Sequence, residues 1–185
     1  MKTTKLNPRI SVARLTRQRG ASLLEGIAYL GIAAIVVLGA VSLLTGAFSS
    51  AQSNRVAEEV VSIRTGVKKL YMGQGAGYTA AVLDPTLIAA QVFPTTLNIA
   101  GAVITNAWGG TVSVSGVVAG AQFAITYTLV PDNVCINVLS GASGWTSIVA
   151  GTGGASAPII LFPVTPVAAA GVCAAGTNTI TWTSL

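Results

Sequence analysis

Histidine is absent from the 185 residues. That removes imidazole acid/base chemistry, the Ser-His-Asp and Cys-His nucleophilic arrangements and every imidazole metal site. Charge is almost as scarce, at 8% of residues, where soluble domains carry about 25%. Past Lys69 the only charged side chains are Asp84 and Asp132, too far apart in sequence to nominate as a catalytic pair. Aromatic residues make up 6% and are not interleaved with basic ones, so nothing patterns a surface for specific nucleic-acid binding. Glycine is plentiful, yet the stretches Gly73 to Gly77 and Gly151 to Gly154 form neither GxGxxG nor a P-loop. The expectation is a protein with no catalytic residues, no metal and no cofactor.

What is present is apolar. Hydrophobic residues make up 52% and the mean hydropathy is +0.72, which argues against disorder. The formal charge of +5 comes from the first twenty residues, where Lys2, Lys5, Arg9, Arg14, Arg17 and Arg19 all fall; from Ala21 onward four basic side chains face five acidic ones. Ile27 to Phe48 runs without a charge, and as a helix it would extend roughly 33 Å, enough to cross a hydrocarbon core of about 30 Å. The basic end should stay cytoplasmic and the chain after about residue 50 should lie across the membrane. A cleaved secretory signal is the competing reading, but the run exceeds the roughly 7 to 15 residues of such a segment.

Glu25 sits at the start of this run. A carboxylate within a spanning helix costs on the order of 2.5 to 3.5 kcal/mol, so such residues usually have a paired, functional role. The alternative is solvation at the cytoplasmic edge, six residues after Arg19. The string Arg-Gln-Arg-Gly-Ala-Ser-Leu-Leu-Glu-Gly, residues 17–26, resembles the cleavage region of a type IV prepilin. The resemblance implies that a prepilin peptidase cuts after Gly20 and N-methylates Ala21, leaving the apolar segment in the product. It also implies that Glu25 meets the N-terminal amine of a neighbouring subunit as helices bundle into a filament, selecting the one register that neutralises both charges. A leader of this length, followed by Ala21 where type IVa pilins have Phe, resembles the type IVb branch.

Val56, Val60, Ile63, Val67 and Leu70 recur at spacings of four and three, an amphipathic stripe. Glu58, Glu59, Arg64, Lys68 and Lys69 are expected on other faces. One helix is therefore expected from about Ser22 to about Met72, apolar all round at first and packed on one side later. Gly31, Gly39 and Gly46 each cost about 1 kcal/mol in a helix interior, and the Gly39 region is expected to unwind when the subunit leaves lipid for a filament. A brief helix over Thr86 to Val92 would follow between Pro85 and Pro94. Strands are expected where Val112 and Val114 alternate with Thr111, Ser113 and Ser115, and where Phe123, Ile125, Tyr127 and Leu129 share one face. Ile180 and Trp182, alternating with threonines, make the last. The fold class is α+β, a long N-terminal helix packed on an antiparallel sheet. Its segments would be a leader at 1–20, the apolar half-helix at 21–50 and a head at 51–185. Trp108, Trp145 and Trp182 are expected to pack rather than to cage a ligand.

Asn106-Ala-Trp-Gly-Gly and the closing Asn-Thr-Ile-Thr-Trp-Thr are similar to segments of type IVb pilins of thin, conjugation-associated and enteric pili. Cys135 and Cys173 lie in the part expected outside the cytoplasm, where an even count favours a disulfide; two free buried thiols are the alternative. In pilins such a pair bounds the surface-exposed variable region, which the resemblance maps onto Cys135 to Cys173. It further implies a major pilin, stored in the inner membrane with its N-terminus cytoplasmic and polymerised into a surface filament serving adhesion, aggregation or DNA transfer. The implied partners are copies of the chain itself, prepilin peptidase, an inner-membrane platform with its ATPase, an outer-membrane secretin, and membrane lipid before assembly. A minor pilin, a secretion pseudopilin and a membrane-anchored periplasmic binding domain are the rival readings.

Overall fold

The computed structural model describes residues 22–74, 77–79, 82–117, 121–152, 157–159 and 162–185. A helix, α1, covers Leu23–Tyr71 and includes Gly31, Gly39 and Gly46. The chain divides between Leu43 and Leu44 into two units. In the first unit the described part of α1 leaves Leu23, Leu24, Ile27, Leu30, Ile35 and Leu38 exposed, and an 18-residue window of the helix reaches a mean hydropathy of 2.5.

The second unit is the head. Its sheet has seven strands, all antiparallel, in the order β1-β2-β3-β4-β7-β5-β6. These are β1 (Asn98–Ala100), β2 (Val103–Thr105), β3 (Thr111–Val117), β4 (Gln122–Pro131), β5 (Ser147–Gly151), β6 (Ala157–Ile159) and β7 (Thr177–Ser184). Helices α2 (Asp84–Ala89), α3 (Asp132–Ser140) and α4 (Pro166–Val172) complete it. The two longest strands run side by side, with Phe123 opposite Ser184 and Ile125 opposite Trp182. Alternation puts Ile180 and Trp182 of β7 and Phe123, Ile125 and Tyr127 of β4 into the core. On the opposite face Thr126 and Thr181, directly paired, join hydroxyls at 3.1 Å.

Onto this core α1 lays the expected stripe: Val56, Val60, Ile63 and Val67 are buried, with Leu70 partly so. Glu59 departs from expectation. It is buried with the stripe, because Arg55 Nε donates to its Oε1 at 2.9 Å and the Tyr127 hydroxyl to its Oε2 at 3.4 Å. A buried charge of this kind is tolerated only when paired and hydrogen-bonded. Leu129 departs too. β4 shifts register between Tyr127 and Val130, Leu129 takes φ 57°, and Val130 replaces it in the core, as a bulge that adds one residue must reverse the alternation.

Past Val112, among the described residues, strand β3 has no further strand partner on its β2 side, and Leu83 and Asp84 bond there instead. Leu83 N donates to the Val114 carbonyl at 2.9 Å, and Val114 N donates to Asp84 Oδ1 at 2.6 Å. The exposed ladder groups of an edge are thereby satisfied. Helix α2 begins at Asp84, before the expected Thr86, since Pro85 is tolerated in a first turn. It stops at Ala89, well before Val92, as Gln91 turns left-handed at φ 53°.

Cys135 of α3 and Cys173 after α4 are joined, with Cα atoms 6.0 Å apart. The segment between them is more than a surface loop. It supplies β5, which pairs β7, and buries Leu139, Trp145, Ile148 and Val164.

Two stability predictions follow from these contacts. Closing a loop of 38 residues corresponds to about 4 kcal/mol in the chain-entropy account, so Cys135→Ser with Cys173→Ser should lower the urea-unfolding free energy by about that much. Burial raises the Asp84 carboxyl above its ordinary value, against the lowering effect of the Val114 N–H. The folded state then holds the proton more readily than the unfolded one, so stability is present at low pH and is lost as pH rises from the ordinary value of 3.8 through the folded one. Asp84→Asn, which keeps an acceptor for Val114, should match the wild type at about pH 3 and exceed it at about pH 7, read as urea midpoints.

Candidate functional site

Ser22 opens α1 as its cap: Glu25 N donates to Ser22 Oγ at 3.2 Å and Gly26 N to the Ser22 carbonyl at 3.1 Å. Ser22-Leu-Leu-Glu25 thus has capping-box spacing, a signal present in the sequence and overlooked in the reading above. Glu25 occupies the first turn, where a carboxylate also complements the positive end of the helix dipole. It is exposed, and among the described residues no ion pair engages it. Glu25 therefore has two physical roles available, one in starting the helix and one as an unneutralised charge beside an apolar surface. Gly20, Ala21 and the basic leader lie outside the described residues.

The polar contacts of α1 within the head fix its rotation on the sheet. Arg55 also donates to the Thr96 carbonyl. Arg64 donates through Nε to Ser184 Oγ at 3.0 Å and stacks 4.6 Å from the Trp145 ring centre, a cation–π contact. It therefore lies partly within the packing, beside the stripe rather than on a face apart from it. Trp145 in turn meets Trp182, and Trp182 meets Tyr127 edge-on at 5.6 Å. Desolvation, and secondly the Glu59 carboxylate, push the Tyr127 hydroxyl up. Gln52 Oε1 accepts from Trp108 Nε1 at 3.2 Å, and Ser49 Oγ accepts from Asn133 Nδ2 at 2.9 Å. Trp145 and Trp182 are buried and Trp108 half-buried, each engaged in packing or hydrogen bonding within the head.

The motif Asn106-Ala-Trp-Gly-Gly has a structural role. Asn106 is buried; its Oδ1 accepts from Trp108 N at 3.0 Å and Gly110 N at 2.9 Å, and its Nδ2 donates to the Thr128 carbonyl at 2.8 Å. Asn178, in the closing motif, does the same from the other side: Nδ2 donates to the Ala174 carbonyl at 3.0 Å and the Val130 carbonyl at 3.5 Å, and Oδ1 accepts from Ala174 N at 2.9 Å. The two amides thus hold backbone on the two sides of the β4 bulge, at Thr128 and Val130. Among the described residues no buried side-chain nitrogen or oxygen lacks a partner, and no cluster of His, Cys, Asp or Glu could hold a metal.

At Gly110 the backbone passes so close to β4 that a Cβ would stand 1.9 Å from the Thr128 oxygen. Gly110→Ala must displace main chain, and should lower stability by about 2 to 4 kcal/mol, measured by urea unfolding. Gly171→Ala, where nothing stands within 4 Å of the added Cβ, provides the comparison that should not lower stability.

Among curated proteins no relative matches the chain. A family model does: PilS N terminal, over residues 50–185, which includes the amphipathic half of α1, the sheet, both asparagine latches and the disulfide. The chain belongs to the PilS N-terminal family, a type IV pilin-related family, and its long apolar helix with an α+β head is that of a type IV pilus-related protein.

Proposed function

We propose that the chain is the major structural subunit of a type IVb-like pilus, polymerising through the apolar half of α1 and carrying no catalysis of its own. One observation carries the reading: Glu25 is the lone carboxylate of an all-round apolar helical segment joined to a head of the PilS family. Before assembly that segment is held in the inner membrane, N-terminus cytoplasmic and head periplasmic, since six basic residues precede it. Prepilin peptidase cleaves between Gly20 and Ala21 and methylates Ala21. The new terminal amine of one copy then meets Glu25 of another in the filament core, where low dielectric makes an unmatched charge costly. An inner-membrane platform with its ATPase drives extrusion through a secretin, and the filament serves adhesion, aggregation or DNA transfer.

N-terminal mass analysis of sheared surface material tests processing. A chain beginning at methylated Ala21 is expected; an intact Met1 would sink the proposal in favour of a membrane-anchored periplasmic domain. The second test exploits the two roles of Glu25. Glu25→Gln keeps the capping-box spacing and removes the charge, so it should leave membrane insertion and subunit level intact while sheared filament falls by tenfold or more, a factor corresponding to about 1.4 kcal/mol. Undiminished filaments from Glu25→Gln would reduce Glu25 to a helix cap. Cleaved subunit without long filaments in the wild type would favour a minor pilin or pseudopilin.

A further inference from the structure

Helix α3 and the turn after it run beside the head's portion of α1 and are pinned to it at two places. At one, Asn133 Nδ2 donates to Ser49 Oγ at 2.9 Å. At the other, Arg64 lies over the Trp145 ring and stands against Gly144. Between the pins the facing residues are small, Ser53 and Ala57 on α1 and Gly141 and Ala142 on the other side, and a cleft of about 490 Å³ remains there. That volume lies in the range of ligand sites, roughly 300 to 1,000 Å³.

The lining is graded from apolar to polar. Val60, Val138, Trp145 and Trp182 are buried and form the floor, whereas Ser50, Asn54 and Ser143 are exposed at the rim and Asn137 is half-buried. Among the described residues no charged side chain lines the cleft, so an ionic ligand would leave water without meeting a counter-charge. The polar groups serve in both senses. Asn54 stands on α1 and Asn137 on α3, and among the described residues no hydrogen bond engages either amide, each of which can donate and accept. Ser50 and Ser53 donate to the Gly46 and Ser49 carbonyls at 3.1 and 2.8 Å, which leaves their oxygens as acceptors.

We propose that this cleft is a binding site for a neutral saccharide of one or two rings. Such a ligand carries the matching surfaces: apolar ring C–H groups for the floor, and hydroxyls at its edge that donate and accept for the amides and serines. A purely aliphatic ligand would cover those rim groups without bonding them, at the cost of their hydration. Because Arg64 already lies over Trp145, the indoles act as a packing surface and do not cage the ligand. A cleft this open binds weakly. On the filament reading identical clefts would recur from subunit to subunit and act together, but the site lies within one head and does not depend on polymerisation.

The test titrates the full chain, in a detergent without a sugar headgroup, with glucose, galactose, N-acetylglucosamine, maltose and lactose, observed by saturation-transfer NMR. N-acetylneuraminic acid is the charged control. At least one neutral sugar should bind with a dissociation constant of about 1 to 10 mM, and the charged one should not. N54A/N137A should weaken that binding by roughly tenfold or more, the loss expected of two hydrogen bonds. Ala57→Phe, which fills the cleft from the exposed face of α1, should abolish it. Both variants should keep the wild-type urea midpoint. The inference is overturned if none of these sugars binds below about 100 mM, if both variants bind as the wild type does, or if the charged control binds equally well. Loss of sheared filament from Ala57→Phe in a chain that binds no sugar would give the cleft to a neighbouring copy and overturn it too. Because the titration reads a single head, its outcome is separate from that of the filament tests.

Discussion

Burial of one stripe of α1 against the sheet is the contact on which the head depends. Val56, Val60, Ile63 and Val67 cover a surface made by Tyr127, Trp182, Ile125 and their neighbours, and apolar contacts of this kind are strong but indifferent to rotation. Direction comes from the polar groups along the stripe. Glu59 is the telling one, since a buried carboxylate must bring its partners with it. Arg55 lies one helical turn before it and Tyr127 opposite on β4. A rotation of α1 that kept the valines buried but moved Glu59 away from Tyr127 would strand a charge. Arg64, on Trp145 and Ser184, applies the same constraint five residues further on.

The stripe, the three longest strands and the α+β class were legible because each is carried by periodicity within a single element. What escaped the reading depended on contacts between elements. Glu59 reads as a solvent-facing charge until Tyr127 is placed opposite it. Leu129 reads as core until the bulge reverses the phase of β4, and no local signal marks a bulge whose left-handed residue is leucine rather than glycine. Strands β1 and β2 are three residues each, below the length at which alternation is readable. Helix α3 carries Asp132 at its start with no hydroxyl cap to announce it. At the candidate site, Glu25 stood out through its cost in an apolar run, whereas its second role required noticing Ser22 three residues earlier.

The two motifs that suggested a family on sequence alone turn out to share one structural problem. Asn106 and Asn178 come from distant parts of the chain and bond backbone at Thr128 and Val130, on the two sides of Leu129. A side-chain amide suits this place because it donates and accepts at once, and Gly110 is required where the first latch crosses β4. In this chain the two segments thus bend and hold the central strand.

Scarcity of charge gives the remaining ionic groups unusual weight. From Ala21 onward four basic side chains face five acidic ones, so long-range repulsion between copies is weak, and hydroxyl, amide and small apolar surfaces can pack closely without charges to desolvate. Such a surface associates readily but selects poorly, because contacts among Ser, Thr, Ala and Gly differ little from one register to the next. Selectivity must then reside in the few charges. On the filament reading Glu25 would supply it in the low-dielectric helix bundle, where a mismatch is expensive. One carboxylate in the apolar segment is enough for that selection, and more would reintroduce the repulsion that the rest of the composition avoids.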